Sequence, residues 1–242
     1  MPLSRILEPE VMDTPEEASS YNAMDHSAVN TLFVDDLLKA FAETPPPKSR
    51  SRLMPDDDDA ATLDILDLGT GTALIVVELC NRLDDCRVMA ADAAAAMLEL
   101  AIYNIEVSGH RGRIQLDQVD AKKLHYIDGQ FGVVMSNSII HHIPEPLVVL
   151  QEAVRVTAPG GLLFFRDLLR PDTKEQLDHL VETYAGNEIE FSKKMFAESL
   201  HAALTLEEIR DMVTSLGFAP ETVQQTSDRH WTWKAVNAER RT

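Results

Sequence analysis

The stretch LDILDLGTGTALIVVELC, Leu63 to Cys80, places an apolar run, an acid at Asp67 and the glycines Gly69 and Gly71 around Thr70, ahead of a second apolar run. Glycines at a strand-to-helix turn let a ligand approach the backbone. A dinucleotide loop would follow G-x-G-x-x-G so that a helix N-terminus meets a pyrophosphate, but Leu74 occupies the third glycine position. Asp67 at the mouth of such a loop would repel phosphate and suits a locally cationic ligand, such as an ammonium group. Asp92, in RVMAADAAAAML, follows the next apolar run and can accept hydrogen bonds from both hydroxyls of a ribose. Asp120, in LDQVDAKKL, follows the third run and is placed to meet an exocyclic amine of adenine. Acids at successive strand ends describe a pocket for a ribosylated, positively charged small molecule. The same residues also have ligand-free readings: Gly69 and Gly71 as a plain turn, Asp92 as a helix N-cap and Asp120 as a surface acid.

Other side chains could handle protons or hold an acceptor. IIHHIPEP supplies His141 and His142, and histidine titrates near neutral pH, so either is a candidate general base. A packed loop accounts for the pair equally well. FFRDLLRP brings Arg166, Asp167 and Arg170 to the end of an apolar strand, to bind a polar acceptor or to form a buried ion pair. Tyr21, Met24 and His26 on the N-terminal helices could fold over the cofactor as a lid; Tyr21 and His26, with Trp231 in SDRHWTW, are further candidate substrate residues, although alternating aromatics on a strand also build cores. The eight histidines show no ligand spacing such as H-x-x-x-H, so no metal site is expected.

These residues need elements to position them. TPEE, Thr14 to Glu17, reads as a capping box with proline at the first helical position. A second helix should follow Asp25, with Val29, Phe33, Leu37 and Phe41 at helical spacing. ETPPPKSRSRLMPDDDDA then reads as a linker. From Leu63 the pattern alternates, with apolar strands predicted at Leu63–Leu68, Arg87–Ala91, Ile114–Gln118, Val133–Ser136 and Leu162–Arg166. Helices fall between them, among them Ala93–Val107 and Pro146–Thr157, the latter stopped by PGG, with Gly160 and Gly161 as a turn. Apolar strands separated by helices imply a doubly wound, mostly parallel α/β sheet, which binds ligands beyond the carboxyl ends of its strands. A helical insertion is expected at about residues 169–203, then a helix from the capping box TLEE to Gly217, then two antiparallel strands joined near Asp228. The division is an N-terminal helical cap over residues 1–44, a linker over 45–62 and a core over 63–242.

A chain of 242 residues with 45% apolar content can bury a full core. Its formal net charge of −18 disfavours nucleic acid and anionic membranes as partners. No stretch is apolar enough to span a bilayer, and the N-terminus turns acidic too early for a secretory signal. Two cysteines, Cys80 and Cys86, are too few for a disulfide framework and point to reduced thiols in the cytoplasm.

At this point the sequence resembles the class I S-adenosylmethionine-dependent methyltransferases. LDLGTGTA is similar to their glycine-rich first motif, with Ala73 where a third glycine is frequent; AADAAAAML is similar to the ribose-binding motif and VDAKKL to the adenine segment. FGVVMSNSIIHHIPEPLVVLQEAVRVTAPGGLLFFRD matches the fourth and fifth strands. The resemblance runs from Leu63 to about Asp167 and is closer to ubiquinone/menaquinone-type and other small-molecule members, since SNSI at Ser136–Ile139 replaces the NPPY signature. It implies a seven-stranded Rossmann-like sheet with an antiparallel last strand, and S-adenosyl-L-methionine as cofactor. Asp67, Gly69, Thr70, Gly71 and Asn137 would then hold the methionine part, Asp92 and Ala93 the ribose, and Asp120 and Ala121 the adenine. The implied reaction is in-line methyl transfer to a small-molecule acceptor, in the cytoplasm. A protein that binds this cofactor for other chemistry, a nicotinamide-dependent dehydrogenase and an RNA methyltransferase remain as rivals. Asp67 and Leu74 oppose the dehydrogenase, and the charge opposes the RNA enzyme.

Overall fold

The computed structural model describes residues 3–9, 11, 13–22, 27–50 and 61–238. Two helices open the chain, α1 (Pro15–Asn22) and α2 (Ser27–Glu43). A two-residue strand, β1 (Ser49–Arg50), pairs antiparallel with the start of β2 (Ala61–Leu68). There follow α3 (Leu74–Arg82), β3 (Cys86–Asp92), α4 (Ala95–Ser108), β4 (Ile114–Gln118) and β5 (Phe131–Asn137). After a 3-10 turn at Ile140–His142 come α5 (Pro146–Val156), β6 (Thr157–Leu168), α6 (Lys174–Ala185), α7 (Glu190–Ala202), α8 (Leu206–Ser215), β7 (Val223–Gln225) and β8 (His230–Val236).

The main sheet runs in the order β4-β3-β2-β5-β6-β8-β7. β2 lies parallel to both β3 and β5, β3 is parallel to β4, and β7 and β8 are antiparallel. This is the doubly wound, mostly parallel seven-stranded arrangement expected, with its chain reversal at the end. The order turns back at β2, and its carboxyl end is therefore where a ligand crevice opens. Four of the six side chains from Leu63 to Leu68 are apolar and all six are buried, as a central parallel strand covered on both faces requires.

By contact density the chain forms two units: residues 1–10, 138–147 and 166–233 in one, and 11–137, 148–165 and 234–242 in the other. In the larger unit, α2 buries Phe33, Val34, Leu37 and Ala40 against Val76, Leu79, Ile65 and Phe164. Phe33 and Phe164 meet edge to face with centroids 5.2 Å apart. Val29 is exposed and Phe41 is only partly buried, so the apolar stripe of α2 is narrower than its periodicity suggests. α1 packs through Ala18 and Tyr21 against Ala94 and Met97 at the start of α4. In the smaller unit, Leu177, Leu180 and Leu200 join α6 to α7, and the capping box at Thr205 and Glu208 forms as expected.

The expected turn at PGG is replaced by strand. β6 begins at Thr157, immediately after α5, and contains both Gly160 and Gly161. The Gly160 N–H donates to the Asn237 carbonyl, and Gly161 accepts from the Asn237 N–H, each at 2.8 Å. Gly160 has φ +76, and a Cβ on Gly161 would lie 2.8 Å from the Ala158 carbonyl oxygen. Close approach of backbone to backbone, rather than chain reversal, is what these glycines provide.

Phe33→Ala should destabilise the chain by about 3–5 kcal/mol, through the loss of a fully buried ring and the cavity it leaves. Urea unfolding followed by far-UV circular dichroism measures this, and Phe33→Leu should cost less.

Candidate functional site

The loop between β2 and α3 is held in a conformation that few sequences can adopt. Gly69, Gly71 and Ala73 all have positive φ, at 72°, 56° and 64°. Alanine tolerates this poorly, and Ala73 is fully buried, so the surrounding packing enforces it. The Gly69 and Thr70 N–H groups both donate to the Ala91 carbonyl, at 2.8 and 3.0 Å. Asp92 completes the tie: its Oδ2 accepts from the Gly71 N–H at 2.8 Å and its Oδ1 from the Ala94 N–H at 2.8 Å. One carboxylate thus joins the loops after β2 and β3. With a further backbone bond from Ala93, the carboxylate still has acceptor capacity left for a ligand hydroxyl.

A concave site opens at this loop, lined by Tyr21, Asn30, Asp67, Gly69, Thr70, Thr72, Leu74, Ile75 and Asn137. Asp67 lies at its base, 3% exposed, with no cation paired to it among the described residues. Burial, with the nearby Asp92 charge adding to it, pushes the Asp67 carboxyl up to about 7. The Thr70 hydroxyl beside it offsets part of this, although its oxygen is buried and makes no hydrogen bond of ordinary geometry. A buried carboxylate without a counter-charge, beside an unsatisfied hydroxyl, fits a ligand that brings an ammonium group and polar atoms. S-adenosylmethionine is such a ligand: its amino group matches Asp67, and its ribose diol matches the free lone pairs of Asp92.

The structure gathers Asp67, Gly69, Thr70 and Asn137 in that lining, with Gly71 and Asp92 immediately behind them. Tyr21 joins them: its ring lies 3.9 Å from where a Cβ on Gly71 would sit. Asp120 and Ala121 are elsewhere, in the turn after β4. Asp120 is exposed, and its carboxylate accepts from the Lys122 backbone N–H at 2.9 Å and pairs with the Lys122 ammonium at 3.1 Å. Ala93 stays near this turn through its carbonyl, which accepts from the Gln118 side chain at 3.2 Å. Asn30, Thr72 and Ile75 are lining residues that sequence reasoning missed. Thr72 and Ile75 sit inside the quoted motif, whereas Asn30 had no signal beyond its place on a predicted helix. His26 and Met24 lie outside the described residues.

The remaining candidates belong to the smaller unit. Asp167 is buried and accepts from the Ile140 N–H, the Leu168 N–H and His141 Nδ1 at 2.6, 2.6 and 2.5 Å. Burial opposes its charge, but His141 and those N–H groups hold its carboxyl below the ordinary range. His141 is buried between Asp167 and Glu8; burial again works against charge, and the two carboxylates outweigh it and raise its pKa. His142 stacks on His141 with ring centroids 4.2 Å apart, and burial lowers it to about 4. Arg170 donates to the Glu208 carboxylate at 2.7 Å and to the Ala203 carbonyl, a structural tie to the start of α8. Arg166 donates to Thr232 Oγ1 at 3.0 Å, and Trp231 is fully buried. Both are packed into the interior of their unit.

Because burial lifts the Asp67 pKa above its unfolded value, this group removes stability as pH rises from about 4 to about 7. Asp67→Asn should therefore stabilise the ligand-free chain at pH 8, by on the order of 2–4 kcal/mol, and by nothing near pH 4. Urea midpoints of the two proteins across that range measure it.

Residues 66–165 match a family model described as a methyltransferase domain. Over 122 residues the chain is 34% identical to a release factor glutamine methyltransferase of Chlorobaculum tepidum, covering 46% of this chain and 41% of that one. It is 30% identical to a demethylmenaquinone methyltransferase of Lactococcus lactis over 152 residues, covering 62% of this chain and 60% of that one. The chain spans about half the length of such curated relatives. A solved structure from Methanococcus maripaludis, described as a candidate S-adenosyl-L-methionine-dependent methyltransferase, shares the fold with a TM-score of 0.68, at 14% identity and covering 98% of this chain and 99% of that one. Residues 66–165 thus match a methyltransferase domain, and the chain shares the fold of a solved structure described as an S-adenosyl-L-methionine-dependent methyltransferase.

Proposed function

We propose that this protein transfers the sulfonium methyl group of S-adenosylmethionine to a small-molecule acceptor. The observation that carries the proposal is the buried Asp67 carboxylate, without a cation, beside the Gly69–Gly71 loop tied down by Asp92. Bound there, the cofactor supplies an electrophilic methyl group on an already activated leaving group. The work left to the chain is alignment and exclusion of water. In this reading Asp67 accepts from the ammonium group, Asp92 from the ribose hydroxyls, and Tyr21 covers the loop from α1. Asn137 supplies a polar contact at the end of β5. Asp120 and Ala121 are proposed at the adenine edge, where the exposed Asp120 carboxylate has acceptor capacity beyond its bonds to Lys122.

An acceptor that loses a proton on methylation needs a base. Of the two candidates, His141 is held charged between its carboxylates, which leaves the neutral His142 as the member able to take a proton in the metal-free chain. Arg166, Asp167 and Arg170, which bond within the fold, and the buried Trp231 are proposed as supports for the acceptor side. The division into a helical cap over 1–44, a linker over 45–62 and a core over 63–242 with an insertion at about 169–203 belongs to the same proposal. A small-molecule acceptor is supported by relatives such as the demethylmenaquinone enzyme, and the net charge of −18 disfavours RNA. No helix among the described residues is long and apolar enough to cross a membrane. A cytoplasmic location suits the thiols of Cys80 and Cys86, which are buried and free with their sulfurs 4.0 Å apart.

Isothermal titration with S-adenosylhomocysteine tests the site directly. Micromolar binding is expected, and Asp92→Ala should weaken it on the order of 10–100-fold, the loss of charge-assisted hydrogen bonds to the ribose. Unchanged affinity in that variant would remove the proposal's basis. Affinity should also rise with pH through about 7, as Asp67 gives up its proton to receive the ammonium group, and Asp67→Asn should flatten that dependence while lowering the plateau.

A further inference from the structure

Glu8, His141 and His142 bring three potential ligand atoms together in the smaller unit, all within 4.8 Å of one another. Glu8 Oε1 lies 3.4 Å from His141 Nε2 and 3.2 Å from His142 Nδ1. Donors at tetrahedral positions around an ion, each about 2.0–2.1 Å from it, are about 3.3 Å apart. The two separations from Glu8 Oε1 to the histidines already match that spacing.

Several independent features direct these atoms at a common point. Glu8 Oε1 is buried and has no hydrogen-bond partner, although its other oxygen accepts from Ser199 Oγ at 3.2 Å. A buried carboxylate oxygen left unsatisfied is costly, and a cation would satisfy it. His141 Nδ1 faces the Asp167 carboxylate at 2.5 Å, which places a proton on Nδ1 and turns Nε2 toward Glu8, where an arriving ion would displace the second ring proton. Asp167 is itself held by the backbone N–H groups of Ile140 and Leu168. A carboxylate that orients a histidine from behind is the arrangement metal sites use to fix tautomer and raise ligand basicity. The 3-10 turn at Ile140–His142 aligns the second ring, since the two imidazoles stack at 4.2 Å.

The segment bearing Glu8 is pinned in place. The Arg5 guanidinium donates to the carbonyls of His141, Ile143 and Ala202 at 3.0, 2.9 and 2.6 Å, and the Leu3 and Ile6 N–H groups donate to Asp172 and His201. The Arg5 charge is spread over those carbonyls, and the Glu208 and Asp167 carboxylates face it, with Arg170 as a second cation nearby.

We propose that Glu8 Oε1, His141 Nε2 and His142 Nδ1 form a binding site for one divalent transition-metal ion of the Zn2+ class, with Asp167 as its outer partner. Two imidazoles and one carboxylate are a borderline donor set, suited to Zn2+ or Co2+ rather than to Mg2+ or Ca2+. Three protein ligands leave at least one position open for water or a polar ligand atom. In the metal-bound protein the His142 Nδ1 lone pair is committed to the ion and Nε2 carries the ring proton, so that ring no longer accepts a proton. The rival arrangement is a plain ion pair, with a protonated His141 between Glu8 and Asp167 and no affinity for metal.

Titration of chelator-treated full-length protein with Co2+ distinguishes the two. Visible absorption of a low-coordinate Co2+ should saturate at one ion per chain, Zn2+ should displace it, and Zn2+ should raise the melting temperature. His142→Ala and Glu8→Ala should each weaken the ion by about tenfold or more, and Asp167→Asn by about 10–100-fold, with circular dichroism checking that each variant is folded. His142 is the safest position, being part exposed and outside the buried Asp167 bond. A chain that shows no saturable Co2+ spectrum and no Zn2+ shift overturns the proposal, as does binding unchanged in both folded His142→Ala and Glu8→Ala. Because no cofactor is present in the titration, its result does not depend on the methyl-transfer proposal.

Discussion

The Asp92 carboxylate is the constraint on which the cofactor site depends. Its two oxygens take the Gly71 and Ala94 N–H groups, so the loop after β2 and the start of α4 share one acceptor. Both loops leave parallel strands at the same edge, and neither has a regular ladder to satisfy its backbone donors. With Asp92 in place those donors are satisfied, the positive φ angles at Gly69, Gly71 and Ala73 are maintained, and the pocket has a floor. The same group then faces a ligand with its remaining lone pairs, so the part that builds the loop is also a part that would recognise a ribose.

Holding Asp67 beside this structure has a cost, and the cost is informative. A carboxylate at the end of a central strand, buried and near Asp92, is worse off than in water unless a cation arrives. Stability given up by the free protein becomes selectivity for a cationic ligand, because neutral or anionic ligands leave the cost in place. In the smaller unit the opposite solution holds. Asp167 is also buried, but His141 and two backbone N–H groups favour its charged form, and Glu8 Oε1 is left buried without a hydrogen bond.

Much of this was legible along the chain. Apolar runs interrupted by glycine and acid located β2 to β5 within two residues, because a central parallel strand must be apolar on both faces. The capping box at Thr205 and the antiparallel end followed from local chemistry. At PGG local propensity misled: two glycines after a helix look like a turn, but here pairing with Asn237 draws them into β6. Tertiary hydrogen bonds outweighed the turn preference of the dipeptide.

The residue types at Asp67, Gly69, Gly71 and Asp92, with their order on successive strands, carried by themselves the charge of the proposed ligand and the strand ends at which these residues sit. That is possible because strand ends in a parallel sheet are fixed by periodicity alone. Which acids are buried and which are exposed was decided only by the tertiary structure. Asp67 is buried without a cation while Asp120 pairs with Lys122 at the surface, a difference of solvation that spacing does not encode. Likewise nothing local connects Glu8 to His141 and His142. They meet because Arg5 and the Leu3 and Ile6 N–H groups fasten the first residues onto distant carbonyls, and such long-range closure exists only in the folded chain.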